Sequence, residues 1–373
     1  MTIPENPIYV TQPSMPPMDE FVEYLKQIWD SKWLTNNGHF HQELEQQLCK
    51  YLGVNHISLF SNGTLALITA LQSLRISGEV ITTPFSFVAT THALHWNGIT
   101  PVFVDIDPET FNINPNKIEA AITPKTTAIL PVHVYGNPCN VEKIEEIARR
   151  YGLKILYDAA HAFGVKKNSN SILNYGDLSV LSFHATKVFT TIEGGAIVSH
   201  SAEEKNRIDQ LKNFGFVNEV TIAAPGINAK MNEMQAAYGL LELKYVENKI
   251  KKRKTNSVLY KELLSNIDGI TLMDVPQGIE HNYSYFPIII NESVTNRKRD
   301  EVYDYLKSKN IFTRRYFYPL ISNLATYSSL KSSEISNLPI ANKVASSILC
   351  LPMYPDLTTD NIEYIAKSIK EAL

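Results

Sequence analysis

The chain reads Ser182-Phe183-His184-Ala185-Thr186-Lys187 over its most informative stretch, and Glu193-Gly194-Gly195-Ala196 follows shortly after. A short β-branched run ends here in a hydroxyl and a lysine, and a glycine pair comes next. A lysine that leaves a buried strand can form a Schiff base, and a nearby serine can help to hold a phosphate. Taken alone, the same residues also fit a solvated surface lysine.

The sequence around this stretch alternates short β-branched runs with amphipathic segments from residue 57 to residue 200. This alternation predicts an α/β domain with a mostly parallel central sheet flanked by helices. The strands are predicted at 57–60, 79–83, 101–105, 128–135, 154–157, 180–183 and 196–199. Helices are predicted between them at 64–74, 90–97 and 141–151.

The last third of the chain has a sparser pattern. A long helical pattern over 232–254 ends in a basic run, and positive side chains suit a helix C-terminus. The elements predicted after it are a strand at 283–290, a helix at 297–309, an extended segment at 312–318 and helices at 340–349 and 359–372. We therefore predict a large domain over 1–249 and a smaller α+β domain over 250–373.

Composition and charge exclude several classes of protein. The 373 residues are 44% hydrophobic and 20% charged, which is typical of a globular protein. Lys and Arg total 35 against 38 Asp and Glu, so a nucleic-acid partner is disfavoured. The three widely spaced cysteines fit a reducing compartment. The sequence contains no run of about 18 apolar residues, which is the length needed to span a bilayer. We expect a cytoplasmic protein with no membrane partner.

Two further stretches follow predicted strands, where open α/β sheets bind their ligands. Ser61-Asn62-Gly63-Thr64 opens a helix, so it fits either a phosphate site or an ordinary helix cap. Asp158 follows a buried strand and fits either a partner for a protonated aromatic ring nitrogen or a structural N-cap. His161 lies near the same ligand position, although it also fits a core histidine.

Several other enzyme classes lack their motifs in this chain. The glycine fingerprint of dinucleotide enzymes, the phosphate loop of nucleotide triphosphatases and the G-x-S-x-G turn of serine hydrolases do not occur. His92 and His95 share a helical face, but no H-E-x-x-H or Cys/His grouping accompanies them. We interpret the pair as part of a packed helix face and predict no metal ligands.

The order of these motifs resembles the DegT/StrS family of PLP-dependent sugar-nucleotide aminotransferases, which have the aspartate aminotransferase (type I) fold. The segments that carry the resemblance are 62–64, 158–161, 182–187 and 226–231. It extends to 33–36 near the start and 316–320 near the end. Within the family, residues 82–90, 158–163 and 182–196 are most similar to the transaminases that form dTDP-4-amino-4,6-dideoxyglucose.

The resemblance implies a role for each matching residue around pyridoxal 5'-phosphate (PLP). Lys187 would bond covalently to the cofactor and later move the proton between the donor's Cα and the cofactor's C4′, and Asp158 would keep the pyridine nitrogen protonated. His161 would lie near the phenolic oxygen, and Phe87 would stack on the ring. The remaining cofactor-binding residues would be Gly63, Thr64 and Ser182 at the phosphate, with Asn228 reaching it from a second subunit. The active sites would therefore be shared within a homodimer.

Further residues are implied for the substrate diphosphate and sugar, namely Lys230, Arg314, Arg315, Tyr316, Tyr318 and His184. An Arg-Tyr strand on a solvated face is the alternative for 314–318. The implied reaction moves an amino group from L-glutamate to C4 of a dTDP-4-keto-6-deoxyhexose, with PLP and its aminated form, PMP, alternating in one site. The implied pathway makes a bacterial surface polysaccharide such as the lipopolysaccharide O-antigen.

Other activities occur within the same family. Some members carry His at the lysine position and remove a hydroxyl, which Lys187 argues against. Others aminate C3 of a dTDP-3-keto-6-deoxyhexose, and one sequence does not settle which carbon of the sugar is aminated. Amination of a scyllo-inosose cyclitol is a further possibility within the family. A non-catalytic PLP-binding protein is a further alternative, disfavoured by the intact Lys187, Asp158 and Phe87.

Overall fold

The β-branched runs form strands that are buried on both faces, as expected for a parallel sheet covered by helices. The structure is a computed structural model that describes residues 3–373. Its strands are β1 (Ile8–Tyr9), β2 (His56–Phe60), β3 (Glu79–Thr82), β4 (Thr100–Phe103), β5 (Thr126–Leu130), β6 (Lys154–Asp158), β7 (Lys166–Lys167), β8 (Asn170–Ser171), β9 (Leu178–Ser182), β10 (Gly195–Ser199), β11 (Ile270–Leu272), β12 (Ile279–Glu280), β13 (Phe286–Ile290), β14 (Ile311–Phe312) and β15 (Ile348–Leu351).

Amphipathic segments between these strands form the helices. They are α1 (Met18–Ser31), α2 (His39–Leu52), α3 (Gly63–Ser73), α4 (Ala89–Trp96), α5 (Val141–Tyr151), α6 (Ala202–Leu211), α7 (Glu233–Leu264), α8 (Glu292–Thr295), α9 (Arg299–Ser308), α10 (Pro339–Ser347) and α11 (Thr359–Ala372). The predicted helices at 64–74, 90–97 and 141–151 therefore agree with α3, α4 and α5 to within one residue at each end.

The main sheet, over residues 3–373, has seven strands in the order β2-β10-β9-β6-β5-β3-β4. The strands from β9 to β4 are parallel, and β10 runs antiparallel to both of its neighbours. Successive side chains point to opposite faces, so Leu156 packs in the core beside α3 and α4, whereas Tyr157 packs in the core beside α2 and α5. The mostly parallel sheet was predicted correctly, and it brings the ends of β2, β6 and β9 to one edge.

A second sheet, β11-β13-β15, packs in the C-terminal part of the chain. Its core joins Ile288 of β13 to Tyr260 of α7, Leu306 of α9 and Ile365 of α11. Ile8 of β1 packs in the same core, and β1 pairs with β14. The division of the chain at residues 249 and 250 stays a prediction.

Two predicted elements near the C-terminus were wrong in part. The helix predicted over 340–349 ends at Ser347, because the apolar run from Ile348 to Leu351 forms β15 against β13. The extended segment predicted over 312–318 is extended only at its start, and residues 316 and 317 form a turn. At β15, and at the start of the 312–318 segment where β14 pairs with β1, pairing with a distant strand decides the local structure, which propensity alone does not show.

Helix α7 continues ten residues beyond the predicted end at residue 254. The basic run does not end the helix, because Lys249 pairs with the buried Glu242 at 2.6 Å and Arg253 donates to the Met353 carbonyl oxygen at 2.9 Å. The following turns contain neither Gly nor Pro. Over residues 3–373 no helix, α7 included, is long and apolar enough to cross a membrane.

The N-terminal helices α1 and α2 were not predicted. Helix α2 begins after Gly38 without a side-chain cap of its own. Its first N–H groups, those of Phe40 and His41, instead donate to the Glu233 carboxylate at 2.9 and 2.8 Å. This N-terminal cap comes from almost two hundred residues away, so nothing near Gly38 in the sequence indicates it. The four-residue spacing of Leu44, Leu48 and Leu52 and the C-cap glycine after them are local helix signals that the prediction overlooked.

Buried histidines should make the protein sensitive to acid. Burial lowers the pKa of His41 to about 4, that of His133 to about 3 and that of His281 to about 4. The unfolded chain takes up a proton at each site below about pH 6.5 while the folded chain does not, so stability is lost as the pH falls from 6.5 toward 4. When the pH is lowered from 7 to 5, the free energy of unfolding should fall by about 2 kcal/mol for each of these histidines.

Urea unfolding at pH 7 and pH 5 measures this loss. His41→Met should remove about 2 kcal/mol of the pH dependence, because both ring nitrogens of the buried His41 lack hydrogen-bond partners among the described residues. His39→Asn is the matched control on the same helix, where the side chain is exposed. Equal stability of the unmodified protein at the two pH values would contradict this prediction.

Candidate active site

One cleft opens at the edge of the main sheet where β2, β6 and β9 end, and most of the predicted site residues lie in it. Those that line the cleft are Gly63, Thr64, Phe87, Asp158, His161, Ser182, His184, Lys187 and Tyr316. Parallel strands place their carboxyl ends on the same side, so residues from distant parts of the chain meet here.

The start of α3 forms one corner of the cleft. Asn62 caps this helix by accepting a hydrogen bond from the Leu65 N–H at 2.9 Å, and Gly63 and Thr64 supply the first helical N–H groups. Helix N-termini of this kind attract anions. Ser182 lies beside them, since a Cβ added to Gly63 would be 3.1 Å from the Ser182 Cβ. A Cβ added to Gly195 would lie 2.7 Å from the Gly63 nitrogen, so the second glycine of the pair lets β10 approach the helix.

Asp158 lies at the end of β6 and is buried. Its carboxylate accepts hydrogen bonds from the Thr90 hydroxyl at 2.7 Å and from the Ala160 N–H at 3.1 Å. Burial raises its pKa, while these donors and the nearby charge of Lys187 lower it in part. Among residues 3–373 its hydrogen-bond donors are the Thr90 hydroxyl and the Ala160 N–H and no cation forms an ion pair with it, so the carboxylate can still take a positively charged partner from the cleft.

Lys187 follows β9 by five residues and reaches back into the cleft. A turn closed by the Lys187 N–H and the His184 carbonyl oxygen, at 2.9 Å, sets its direction. Burial lowers the pKa of its amine to about 8, and Asp158 opposes that shift. A fraction of the amine is therefore neutral near pH 7, as a nucleophile must be.

His161 is buried beside Lys187. Its Nδ1 accepts a hydrogen bond from the Tyr135 N–H at 3.2 Å, and its ring stacks on Phe317 with a centroid separation of 5.9 Å. Burial, aided by the charge of Lys187, lowers its pKa well below the usual value. The imidazole is consequently neutral, with its proton on Nε2, and it presents an N–H donor toward the cleft.

Phe87 is an aromatic side chain left 58% exposed in the wall of this cleft. It lies just before α4, whose Thr90 hydroxyl binds Asp158. An aromatic face left free beside a buried carboxylate suits a planar ring, because offset stacking adds to the burial of both surfaces.

The other predicted residues lie outside the cleft of a single chain. Lys230 donates to the Asn213 side-chain oxygen at 2.9 Å and lies 4.5 Å from the Phe214 ring centroid. Asn228 and Arg314 are exposed. Tyr318 stacks against Arg299, whose guanidinium carbon is 4.8 Å from the ring centroid. In a single chain the diphosphate candidates therefore do not converge with Lys187.

Arg315, the neighbour of Arg314, pairs with Asp300 at 3.0 Å and lies 4.5 Å from the Tyr303 ring centroid. Its guanidinium is thus already engaged on the surface of the C-terminal part. For Arg315, this arrangement agrees with the alternative interpretation, in which segment 314–318 is an Arg-Tyr strand on a solvated face.

The cleft also contains residues to which the sequence pointed only weakly or not at all. Thr90, which binds Asp158, looked like an ordinary helix residue. Tyr285 lies with its hydroxyl 3.4 Å from the Lys187 Nζ, and Phe317 forms part of the wall. Tyr285 comes from the C-terminal part of the chain, about a hundred residues after Lys187. No spacing rule connects the two.

His92 and His95 on α4 pack against one tyrosine. The His92 Nδ1 lies 2.7 Å from the Tyr327 hydroxyl, and the His95 ring packs edge-on against the same side chain. Among residues 3–373 no group of three or more His, Cys, Asp and Glu side chains is arranged to hold a metal ion.

The residues present fit PLP. An aldehyde suits the Lys187 amine, a protonated ring nitrogen suits the unpaired carboxylate of Asp158, and a phosphate suits the corner formed by Gly63 and Ser182. The space at that corner depends on glycine, because a Cβ on Gly63 would press on Ser182. One cleft thus offers complementary groups to each polar part of this cofactor.

Residues 17–370 match the DegT/DnrJ/EryC1/StrS aminotransferase family. The chain is 55% identical over 366 residues to the dTDP-4-amino-4,6-dideoxy-D-glucose transaminase of Escherichia coli, covering 97% of this chain and 98% of that protein. It is 54% identical to the transaminase of the same name from Shigella dysenteriae, with 98% and 99% covered.

Solved structures are similar over the full length. DesI, determined in the presence of its TDP-sugar product, superposes with a TM-score of 0.95 at 35% identity, covering 100% of this chain and 94% of that one. PseC of Helicobacter pylori, an aminotransferase of pseudaminic acid biosynthesis, gives a TM-score of 0.91 at 26% identity, with 98% and 99% covered. The predicted aminotransferase fold is thereby confirmed.

Proposed function

Because the chain belongs to the DegT/DnrJ/EryC1/StrS aminotransferase family, we propose that it transfers an amino group from L-glutamate to C4 of a dTDP-4-keto-6-deoxyhexose. The product is dTDP-4-amino-4,6-dideoxyglucose. The enzyme is a PLP-dependent sugar aminotransferase, and the choice of sugar follows the two transaminases to which it is 55% and 54% identical.

One observation in the cleft carries the proposal. The Lys187 amine, with a pKa lowered to about 8, lies beside the buried carboxylate of Asp158 and the open N-terminus of α3. Nucleophile, ring partner and anion site thus occur together, as a PLP aminotransferase requires.

The chain's own residues hold the cofactor in defined places. When bound, PLP supplies an aldehyde for amine exchange and a ring that accepts electrons. Lys187 would anchor it covalently, and the Asp158 carboxylate would keep a proton on the ring nitrogen. Gly63, Thr64 and Ser182 would bind the phosphate, and His161 would lie near the phenolic oxygen.

Lys187 would have a second task while a donor amine occupies the cofactor. Its free Nζ would take the proton from the donor's Cα and deliver it to the cofactor's C4′, so the amine must be neutral when it takes the proton. The pKa of about 8 supports this, since loss and uptake of a proton are then nearly balanced at neutral pH. Both half-reactions use one cleft in turn, first for glutamate and then for the keto sugar.

The sugar nucleotide enters from the exposed side of the cleft. His184 and Tyr316 line that side, and His184 lies 3.6 Å from Glu193. We assign these two residues to the sugar. Lys230, Arg314 and Tyr318 remain candidates for the diphosphate or nucleotide outside the single-chain cleft.

Product analysis tests the position of amination. Enzyme, L-glutamate and dTDP-4-keto-6-deoxyglucose should give a product whose NMR spectrum places the nitrogen on C4. A dTDP-3-keto-6-deoxyhexose should react far more slowly. Turnover of the 3-keto sugar without any aminated product from the 4-keto sugar would replace the proposal with a C3-aminotransferase, which is the second candidate that this family offers.

We further propose that two copies of the chain share their active sites. Residues 213–228 form an irregular hairpin whose apolar side chains are exposed, with Val220 at 90% and Ile222 at 62%. A patch of this kind on a folded chain marks an interaction surface. Asn228 lies on the same hairpin, exposed to solvent.

Charge supports the same arrangement. Among the described residues that line the cleft, Lys187 is the only Lys or Arg, and it is occupied by the cofactor. A cofactor phosphate, a donor with two carboxylates and a sugar diphosphate need further donors. A second copy that brings its hairpin over the cleft supplies Asn228 and nearby Lys230.

Mixed dimers test this sharing. Lys187→Ala and Asn228→Ala subunits, each nearly inactive alone, should regain about a quarter of the normal activity when they are mixed and allowed to exchange. Half of the dimers are then mixed, and each of these holds one intact site. If both residues serve the same chain's site, mixing restores nothing, and the shared site is wrong.

The cellular setting is also a proposal. We place the enzyme in the cytoplasm, in a pathway to a bacterial surface polysaccharide such as the lipopolysaccharide O-antigen. The unpaired state of Cys49, Cys139 and Cys350 supports a reducing compartment.

A further inference from the structure

Tyr285 contacts two polar side chains of the cleft, Lys187 and His161. Its hydroxyl oxygen lies 3.4 Å from the Lys187 Nζ and 3.5 Å from the His161 Nε2. The Tyr285 and His161 rings pack edge to face, with centroids 4.8 Å apart. A phenol at this place can exchange hydrogen bonds with both neighbours.

The segment that carries Tyr285 is fastened to the main chain beneath His161. The buried Asn282 side chain donates to the His161 and Phe163 carbonyl oxygens at 2.8 and 3.0 Å. The Ser284 hydroxyl donates to the Tyr135 carbonyl oxygen at 2.8 Å. These bonds fix Tyr285 relative to His161, so its place in the cleft is built by the fold.

The hydrogen bonds around Tyr285 have a direction. The Tyr135 N–H donates to the His161 Nδ1, which leaves the imidazole proton on Nε2, facing the Tyr285 oxygen. That oxygen has a second lone pair for a charged Lys187, and its own O–H can donate to a neutral Lys187. The Tyr285 hydroxyl can therefore form a hydrogen bond with the Lys187 amine whether the amine is charged or neutral.

We propose that Tyr285 is a positioning residue that holds the Lys187 Nζ on the His161 side of the cleft while its proton is taken up and given back. The inference rests on the proposed role of Lys187. A hydrogen bond accepted from a charged donor is stronger than one between neutral groups, so Tyr285 favours the protonated amine.

The other groups facing Lys187 are left in place by a change at Tyr285. Asp158 at the end of β6 raises the pKa of the amine, and neutral His161 lies beside it. His184 and Glu193 lie at the mouth of the cleft. Tyr285→Phe removes one oxygen and keeps the ring packing, so any change in the amine reports on that hydroxyl.

The test uses the full-length enzyme treated with L-glutamate, which converts the cofactor to PMP and frees the Lys187 amine. Acetylation of Lys187 by acetic anhydride, followed by mass spectrometry between pH 6 and pH 10, measures its pKa. In Tyr285→Phe that pKa should fall by about one unit, a tenfold change in the protonation equilibrium. Turnover should fall about tenfold, with the KM for glutamate within about twofold.

Tyr260→Phe is the matched control, because its hydroxyl donates to the Pro352 carbonyl oxygen in the C-terminal core, away from the cleft. Asn282→Ala removes the bonds that fix the segment carrying Tyr285, so it should also lower the pKa of Lys187. This variant replaces Tyr285→Phe in the test if Tyr285→Phe does not fold. An unchanged pKa and unchanged turnover in folded Tyr285→Phe would overturn the inference. Failure of glutamate to bleach the cofactor band of the unmodified enzyme would instead count against the proposed function.

Discussion

Lys187→Ala should lower turnover by about 10⁴-fold, the upper end of the effect of one acid-base group. The alanine cannot bond to PLP and cannot carry the proton at Cα. No other Lys or Arg among the described residues lines the cleft, so no neighbour replaces it. The visible band of the lysine-bound cofactor should be absent from the purified variant, and turnover measured with L-glutamate and the keto sugar should be close to background.

Lys187→Arg tests whether the positive charge of Lys187 is enough without its nucleophilic amine, because a guanidinium keeps the charge but is not a nucleophile near neutral pH. It should be as inactive as the alanine variant. Lys166→Ala is the control, since Lys166 forms only a surface pair with Glu280 at 3.4 Å. Near-normal turnover in Lys187→Ala would remove Lys187 from its proposed role.

Asp158→Asn should lower turnover by about 100-fold while the cofactor band persists. Asparagine has the shape of the carboxylate but no charge, so the ring nitrogen loses the partner that keeps it protonated. A charge-assisted hydrogen bond is worth up to about 3 kcal/mol, which corresponds to about two orders of magnitude in rate. Stopped-flow absorbance of the first half-reaction with L-glutamate measures the effect directly.

Asp177→Asn is the matched control, because Asp177 lies just before β9 and contacts the opposite end of β6 from Asp158. Asp177 binds the Lys154 Nζ at 2.6 Å and the Ile155 N–H at 2.8 Å, far from the cleft edge of β6. It should affect stability and leave turnover near normal. Equal rates in Asp158→Asn and the unmodified enzyme would show that the carboxylate does not act on the ring.

The sequence was most informative where residues with reactive or ligand-binding groups directly follow predicted strands. Strand ends carry Gly63, Asp158 and Lys187, and the parallel sheet brings such ends together, so the cofactor residues could be predicted as a set. The family resemblance is confirmed, and with it the fold and the cofactor. The roles of the individual residues stay predictions.

The rest depends on contacts between distant segments. Helix α2 is capped by Glu233, and β15 forms only because β13 is beside it. Tyr285 enters the cleft through bonds from Asn282 to the main chain near His161. Such partners follow from the completed fold and leave no periodic trace in the sequence. The diphosphate candidates are a similar case, because their position depends on how two copies assemble.

The most direct test of the central claim is the visible spectrum of the purified enzyme during one cycle. We expect a band of lysine-bound PLP that disappears on addition of L-glutamate and returns on addition of dTDP-4-keto-6-deoxyglucose. Return of the band would establish both half-reactions in one cleft. A band that glutamate does not change, or that the sugar does not restore, would contradict the proposed reaction.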